Sequence, residues 1–131
     1  DAKNGTVTVS KLLKKTVKTV TIPATVTIDG YTFKVTAVAN NVFKNASRLK
    51  SVVIGANVKS IGKSSFYKCK KLTTITFKGI KAPGVGKNAF KSGKSKVTVK
   101  VPKKMKKSQL NKLKKALKKE GVKKASYKKT K

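Results

Sequence analysis

The sequence predicts a strand-rich α/β fold: a short solenoid with an N-terminal β-hairpin region and a C-terminal helical cap. Two observations carry that prediction. The layout Val35-Thr36-Ala37-Val38, Phe43, Leu49, Val52, Ile54 returns 23 residues later as Val58-Lys59-Ser60-Ile61, Phe66, Leu72, Ile75, Phe77. A degraded third copy follows at an offset of 24, with Val85-Gly86-Lys87, Phe90, Val99 and Val101. A period of about 20–29 residues with one short apolar strand per copy is the mark of stacked repeats, each burying the face its neighbour leaves open.

The elements follow in order. Asn4-Gly5 is a turn signal, and Thr6-Val7-Thr8-Val9 alternates as a strand does. Thr16 to Ile22 alternates again and ends at Pro23, which cannot donate to a sheet ladder. Asp29-Gly30 marks a hairpin between Val26-Thr27-Ile28 and Tyr31-Thr32-Phe33-Lys34-Val35. Thr19 to Val26 resembles Ser51 to Val58 at an offset of 32, so the hairpin reads as an insertion of about nine residues into the first repeat.

Within a full repeat, Val58 and Ile61 form an apolar pair and Gly62 breaks the chain. Ser64 is expected to cap a brief helical turn carrying Phe66 and Cys69. In Thr74-Ile75-Thr76-Phe77, Ile75 and Phe77 point inward and the threonines outward. Stacking would set Val52 over Ile75, Ile54 over Phe77, and Phe43, Phe66 and Phe90 in a column. Ser108 to Glu120 has helical periodicity, with Leu110, Leu113, Ala116 and Leu117 on one face, Ser108 as N-cap and Gly121 as C-cap. Val122 to Tyr127 is expected to add a last strand. Residues 1–131 thus form one domain: N-terminal strands (1–34), repeats (35–101) and a lysine-rich helical cap (102–131). The rival reading of that helix is a basic amphipathic segment for an anionic membrane or a partner.

Leu, Ile, Val and Phe supply 34 of 131 residues, enough for the chain to fold despite a formal charge of +32. Arg48 is the only arginine beside 34 lysines. Lysine is a hydrated point charge without the bidentate fork that reads bases. The charge therefore reads as a solvated surface, with nonspecific attraction of polyanions at low salt. Cys69 is the only cysteine, and its repeat counterparts are Ala46 and Gly93. It reads as a small core residue, with a reactive thiol as the rival. No apolar run is long enough for a membrane span. The chain begins at Asp1 without an initiating methionine or signal peptide, and is read as part of a longer or processed polypeptide.

Several segments together resemble the BspA-type bacterial leucine-rich repeat. They are Tyr31 to Val38, Asn41-Val42-Phe43-Lys44-Asn45, Leu49 to Gly55, Val58 to Lys63, Phe66, Cys69 and Leu72 to Phe77. The resemblance covers residues 16 to 101 and extends loosely to the lysine-rich helix. It implies a curved solenoid on a secreted or surface-anchored protein concerned with adhesion or protein binding. Three departures stand out: Ala39 for the usual Gly, Val42 for the usual Ala, and Lys96 where the third copy would carry Leu. The last suggests that the terminal copy is worn into a cap.

Enzymatic chemistry lacks its parts. There is no histidine, and the carboxylates are Asp1, Asp29 and Glu120, far apart in the chain. Neither zinc nor calcium would find a ligand set, and no cofactor is expected. Two binding readings remain. In the first, the outward strand residues Ser51, Val53, Thr74, Thr76, Thr98 and Lys100 meet a protein or glycan partner. In the second, Lys114, Lys115, Lys118 and Lys119 on the helix hold a polyanion such as teichoic acid, an acidic glycan or nucleic acid. No nucleic-acid-reading motif accompanies them.

Overall fold

The structure, a computed structural model, describes residues 6–9, 17–93 and 96–130. The Asn4-Gly5 turn and Thr16 lie outside the described residues. The described chain passes back and forth between two sheets. The first contains β1 (Thr6–Val9), β3 (Thr25–Ile28), β4 (Tyr31–Val38), β6 (Ser60–Ile61) and β8 (Gly84–Val85). The second runs β10 (Lys124–Thr130), β9 (Lys96–Pro102), β7 (Thr74–Phe77), β5 (Ser51–Ile54), β2 (Thr19–Ile22). All pairings are parallel except the hairpin of β3 with β4, where Ile28 faces Tyr31 across Asp29-Gly30. Both turn residues have positive φ, 51° and 81°, as a two-residue hairpin turn demands.

The registers follow the repeat. Val52 lies opposite Ile75, Ile54 opposite Phe77, and Thr19 opposite Ser51, as the offsets of 23 and 32 require. One inward row runs Val20, Val52, Ile75, Val99, Tyr127 across all five strands. Phe43, Phe66 and Phe90 stack with centroids 5.0 Å apart and ring planes 11° and 1° from parallel. Apart from Val20 and Tyr127, which are half-buried against its ends, these side chains join a single buried cluster that runs from Ile22 to Val122. Full burial of each such side chain contributes about 1.5–3 kcal/mol.

The turns around the phenylalanines correct one expectation. Ser64 does not cap a helical turn; its φ is 55°, and no helix forms between Lys63 and Cys69. Left-handed residues recur instead with the repeat, at Asn41, Ser64 and Asn88 and again at Asn45, Lys68 and Ser92. This backbone turns its amides toward the next copy. Asn41, Phe43 and Asn45 donate to Lys63, Ser65 and Tyr67 carbonyls, and Ser64, Phe66 and Lys68 donate to Lys87, Ala89 and Lys91. Alternate amides are thus given to the next turn, while Lys44, Ala46, Ser65, Tyr67 and Cys69 donate to carbonyls of their own turn. That is why local helix signals fail here.

Close stacking accounts for the glycines that follow the apolar pair in the later copies. A Cβ at Gly62 would lie 2.5 Å from the Ala39 carbonyl carbon, and one at Gly86 would lie 2.5 Å from the Lys63 nitrogen. Glycine is needed where a preceding turn lies underneath. Ala39 follows β4, and the segment after its parallel neighbour β1 lies outside the described residues.

After β9 the chain enters α1 (Lys107–Lys119), whose start lies two residues before the one a Ser108 cap would give. Lys106, not Ser108, holds the N-cap position, and no side chain caps it. The first turn is tied by tertiary contact: Gln109 Oε1 accepts from Ala82 N at 2.9 Å. Leu113 and Leu117 are fully buried, while Leu110 and Ala116 flank them half-buried. At the helix end Gly121 has φ 124°, and a Cβ there would lie 2.4 Å from the Phe90 carbonyl carbon. The final strand begins two residues later than Val122 and runs past Tyr127, because β10 pairs with β9 from Lys124 through Thr130.

Candidate functional site

Alternation along β5, β7 and β9 sends every second side chain into the core and leaves its neighbours outside. The outward residues expected to meet a partner fall into two rows. Ser51, Thr74 and Thr98 are register neighbours, as are Val53, Thr76 and Lys100. Lys100 is exposed and the other five are half-buried, pressed by the strands on either side.

The register extends both rows beyond what the repeats alone revealed. The first becomes Thr19, Ser51, Thr74, Thr98, Ser126, a hydroxyl on all five strands. At about 4.8 Å per strand it runs about 19 Å. The second becomes Thr21, Val53, Thr76, Lys100, Lys128. Thr19 and Thr21 were readable from the 32-residue offset. Ser126 and Lys128 had a fainter signal: Lys96-Val97-Thr98-Val99-Lys100 recurs as Lys124-Ala125-Ser126-Tyr127-Lys128, with a whole helix between. Beside these strands lies an open groove of ≈ 430 Å³, lined by Thr73, Lys96, Thr98, Lys124 and Ser126 among others.

The four helix lysines do not gather in one place: Lys118 and Lys119 share a groove, and Lys114 and Lys115 lie outside it. Lys114 Nζ sits 5.0 Å over the Tyr127 ring, a cation–π contact that occupies it. Lys118 and Lys119 line a groove of ≈ 180 Å³ together with Lys91, Lys123 and the carboxylate-bearing Glu120. Lys115 is exposed and lines neither groove.

Glu120 is a residue whose part the sequence concealed. Its carbonyl accepts from Phe90 N at 3.0 Å, and its side-chain Oε1 accepts from Asn88 N at 3.1 Å. Those two amides are the counterparts of Phe66 and Ser64, which donate to carbonyls of the following turn. One glutamate thus supplies both acceptors to a turn that has no further copy after it.

Cys69 is 1 % exposed and its thiol donates to the Phe43 carbonyl at 3.1 Å. Burial pushes the thiol up to about 11, against a smaller opposing effect of a backbone hydrogen bond from Ala46. At neutral pH it is a protonated core group. Among the described residues no three His, Cys, Asp or Glu side chains come together as a metal site. No described helix is long and apolar enough to cross a membrane.

Comparison with known proteins agrees with this geometry. No curated protein matches the chain. A solved structure of a leucine-rich cell surface protein from Faecalibacterium prausnitzii A2-165 is similar, with a TM-score of 0.60 and 26% sequence identity. The match covers 76% of this chain and 33% of that one, so this chain spans about a third of its length. The family described as a BspA type leucine rich repeat region (6 copies) matches residues 36–119, well over half of the sequence. The chain belongs to the BspA-type leucine-rich repeat family.

Proposed function

We propose that this chain is a non-enzymatic interaction module of a secreted or cell-surface protein, binding a protein or glycan partner through the outward face of its second sheet. The observation that carries the reading is the five-strand hydroxyl row from Thr19 to Ser126, flanked by the row from Thr21 to Lys128. A parallel stack holds such side chains on an already ordered backbone at fixed spacing, which lowers the ordering cost at the moment of binding. Residues 1–131 act as one domain, with α1 and β10 capping the open end of the repeats. The leucine-rich cell surface protein that this fold resembles supports the location.

The test is a screen of the chain against a glycan array and immobilised extracellular-matrix proteins, with two variants in parallel. Ser51→Gln with Thr74→Gln crowds the face; Thr27→Gln with Ser60→Gln alters exposed positions of the first sheet. The face variant is expected to weaken each genuine hit by about tenfold or more, and the control by less than about twofold. Hits that survive the face variant, or fall equally with the control, would overturn the reading.

A further inference from the structure

The one place where the second sheet abandons neutral outward residues is β9 with β10. Their Lys-x-hydroxyl-x-Lys stretches lie side by side in register: Lys96 against Lys124, Thr98 against Ser126, Lys100 against Lys128. Four lysines thus surround two hydroxyls, and all four are exposed. Neighbouring strands are about 4.8 Å apart and alternate residues about 6.6 Å, so each lysine pair holds like charges directly opposite, an arrangement that destabilises a sheet. No described carboxylate relieves it. Asp29 is in the hairpin turn, and the Glu120 side chain is engaged by Asn88. Lysines commonly guard a sheet edge against aggregation, which would account for β10. It does not account for Lys96 and Lys100, because β9 is an interior strand between β7 and β10.

We infer that the β9–β10 face is a binding site for a sulfated or phosphorylated glycan. The inference rests on the proposed use of the second-sheet face and names its partner class. Two tracks of ammonium groups would pair with the repeating anionic substituents, while Thr98 and Ser126 would exchange hydrogen bonds with sugar hydroxyls between them. The groove of ≈ 430 Å³ beside Lys96 and Lys124 gives a chain of sugars somewhere to lie. The surface suits nucleic acid poorly. It carries no arginine, and its aromatic neighbour Tyr127 is half-buried in the inward row beneath Lys114.

The experiment measures binding of a heparin octasaccharide at about 150 mM salt, where nonspecific attraction is largely screened. One variant changes Lys96, Lys100, Lys124 and Lys128 to Ser. A charge-matched variant changes Lys114, Lys115, Lys118 and Lys119 to Ser, and a third combines Thr98→Val with Ser126→Ala. The first is expected to lose about tenfold or more in affinity, the second about twofold and the third about threefold. Desulfated heparin should fail to bind, and single-stranded DNA should bind at least about tenfold more weakly than heparin. The first variant should also melt at a higher temperature than the wild type, which shows that it folds. Equal losses in the two lysine variants, DNA binding as tight as heparin, or no heparin binding by the wild type would each overturn the inference. None of these would touch the broader reading, provided that partners found in the screen remain sensitive to Ser51→Gln with Thr74→Gln.

Discussion

The turn around Phe66 and the turn around Phe90 have the same backbone and different neighbours. Ser64 and Phe66 hand their amides to Lys87 and Ala89, one copy further on. Asn88 and Phe90 hand theirs to Glu120, at the end of α1. The middle copy is closed by repetition, the last by a helix that brings one carboxylate and one carbonyl to the same place. The same contrast appears on the second sheet, where Ser51, Val53, Thr74 and Thr76 are neutral and the β9–β10 pair is lysine-lined. Stacking dictates the inward residues and the turn amides. It leaves outward residues free, and there the terminal copy differs from the middle one.

The sharpest way to break this contrast is to remove a ring. Phe66 stacks on both Phe43 and Phe90, whereas Phe90 has one ring neighbour. Phe66→Ala should cost about 4 kcal/mol and Phe90→Ala about 3 kcal/mol in chemical denaturation. Equal costs would mean that the terminal copy is as deeply embedded as the middle one.

Cys69 tests the middle copy by pH. Its thiol is raised from its ordinary 9.0 to about 11 by burial, so the folded chain keeps a proton that the unfolded chain releases first. The contribution is intact below pH 9 and is lost as pH rises toward about 11. Lysines titrate in the same window, so the readout is the difference from Cys69→Ala, which copies Ala46 of the first repeat. Wild type should lose about 2 kcal/mol relative to that variant between pH 8 and 11.

Glu120 tests the last copy. Glu120→Ala should cost about 1.5 kcal/mol by unpairing Asn88 N, and Glu120→Gln less than half of that because an acceptor remains. Amide exchange should quicken at Asn88 and not at Ser64.

The smallest effect runs the other way. Ser65 is fully buried, and its Oγ has no hydrogen-bond partner among the described residues, while its counterpart in the next copy is Ala89. Ser65→Ala should stabilise the chain by about 1 kcal/mol, read as a higher denaturation midpoint.

What was legible in the sequence was whatever repeats at fixed spacing. The offset of 23 placed Ile75 against Val52, and the Asp29-Gly30 hairpin announced itself by local turn chemistry. The phenylalanine column followed from the same spacing. Contacts between copies were not legible, because nothing local encodes them. Ser64 reads as a helix cap in isolation and is left-handed only because its amide must reach Lys87. Glu120 reads as a helix end and lies 32 residues from the amide it holds. Ser126 and Lys128 join the face only because β10 returns beside β9 after a helix. Lys96 looked like a worn core position and is instead an exposed member of a paired row.

The most direct measurement of the account is a two-dimensional NMR titration of the isotope-labelled chain with the heparin octasaccharide at about 150 mM salt. The account predicts that shift changes concentrate at Lys96 to Lys100 and Lys124 to Lys128, fade along the outward row toward Ser51, and spare α1. Shifts centred on Lys114 to Lys119, or spread evenly over every lysine-bearing surface, would contradict it.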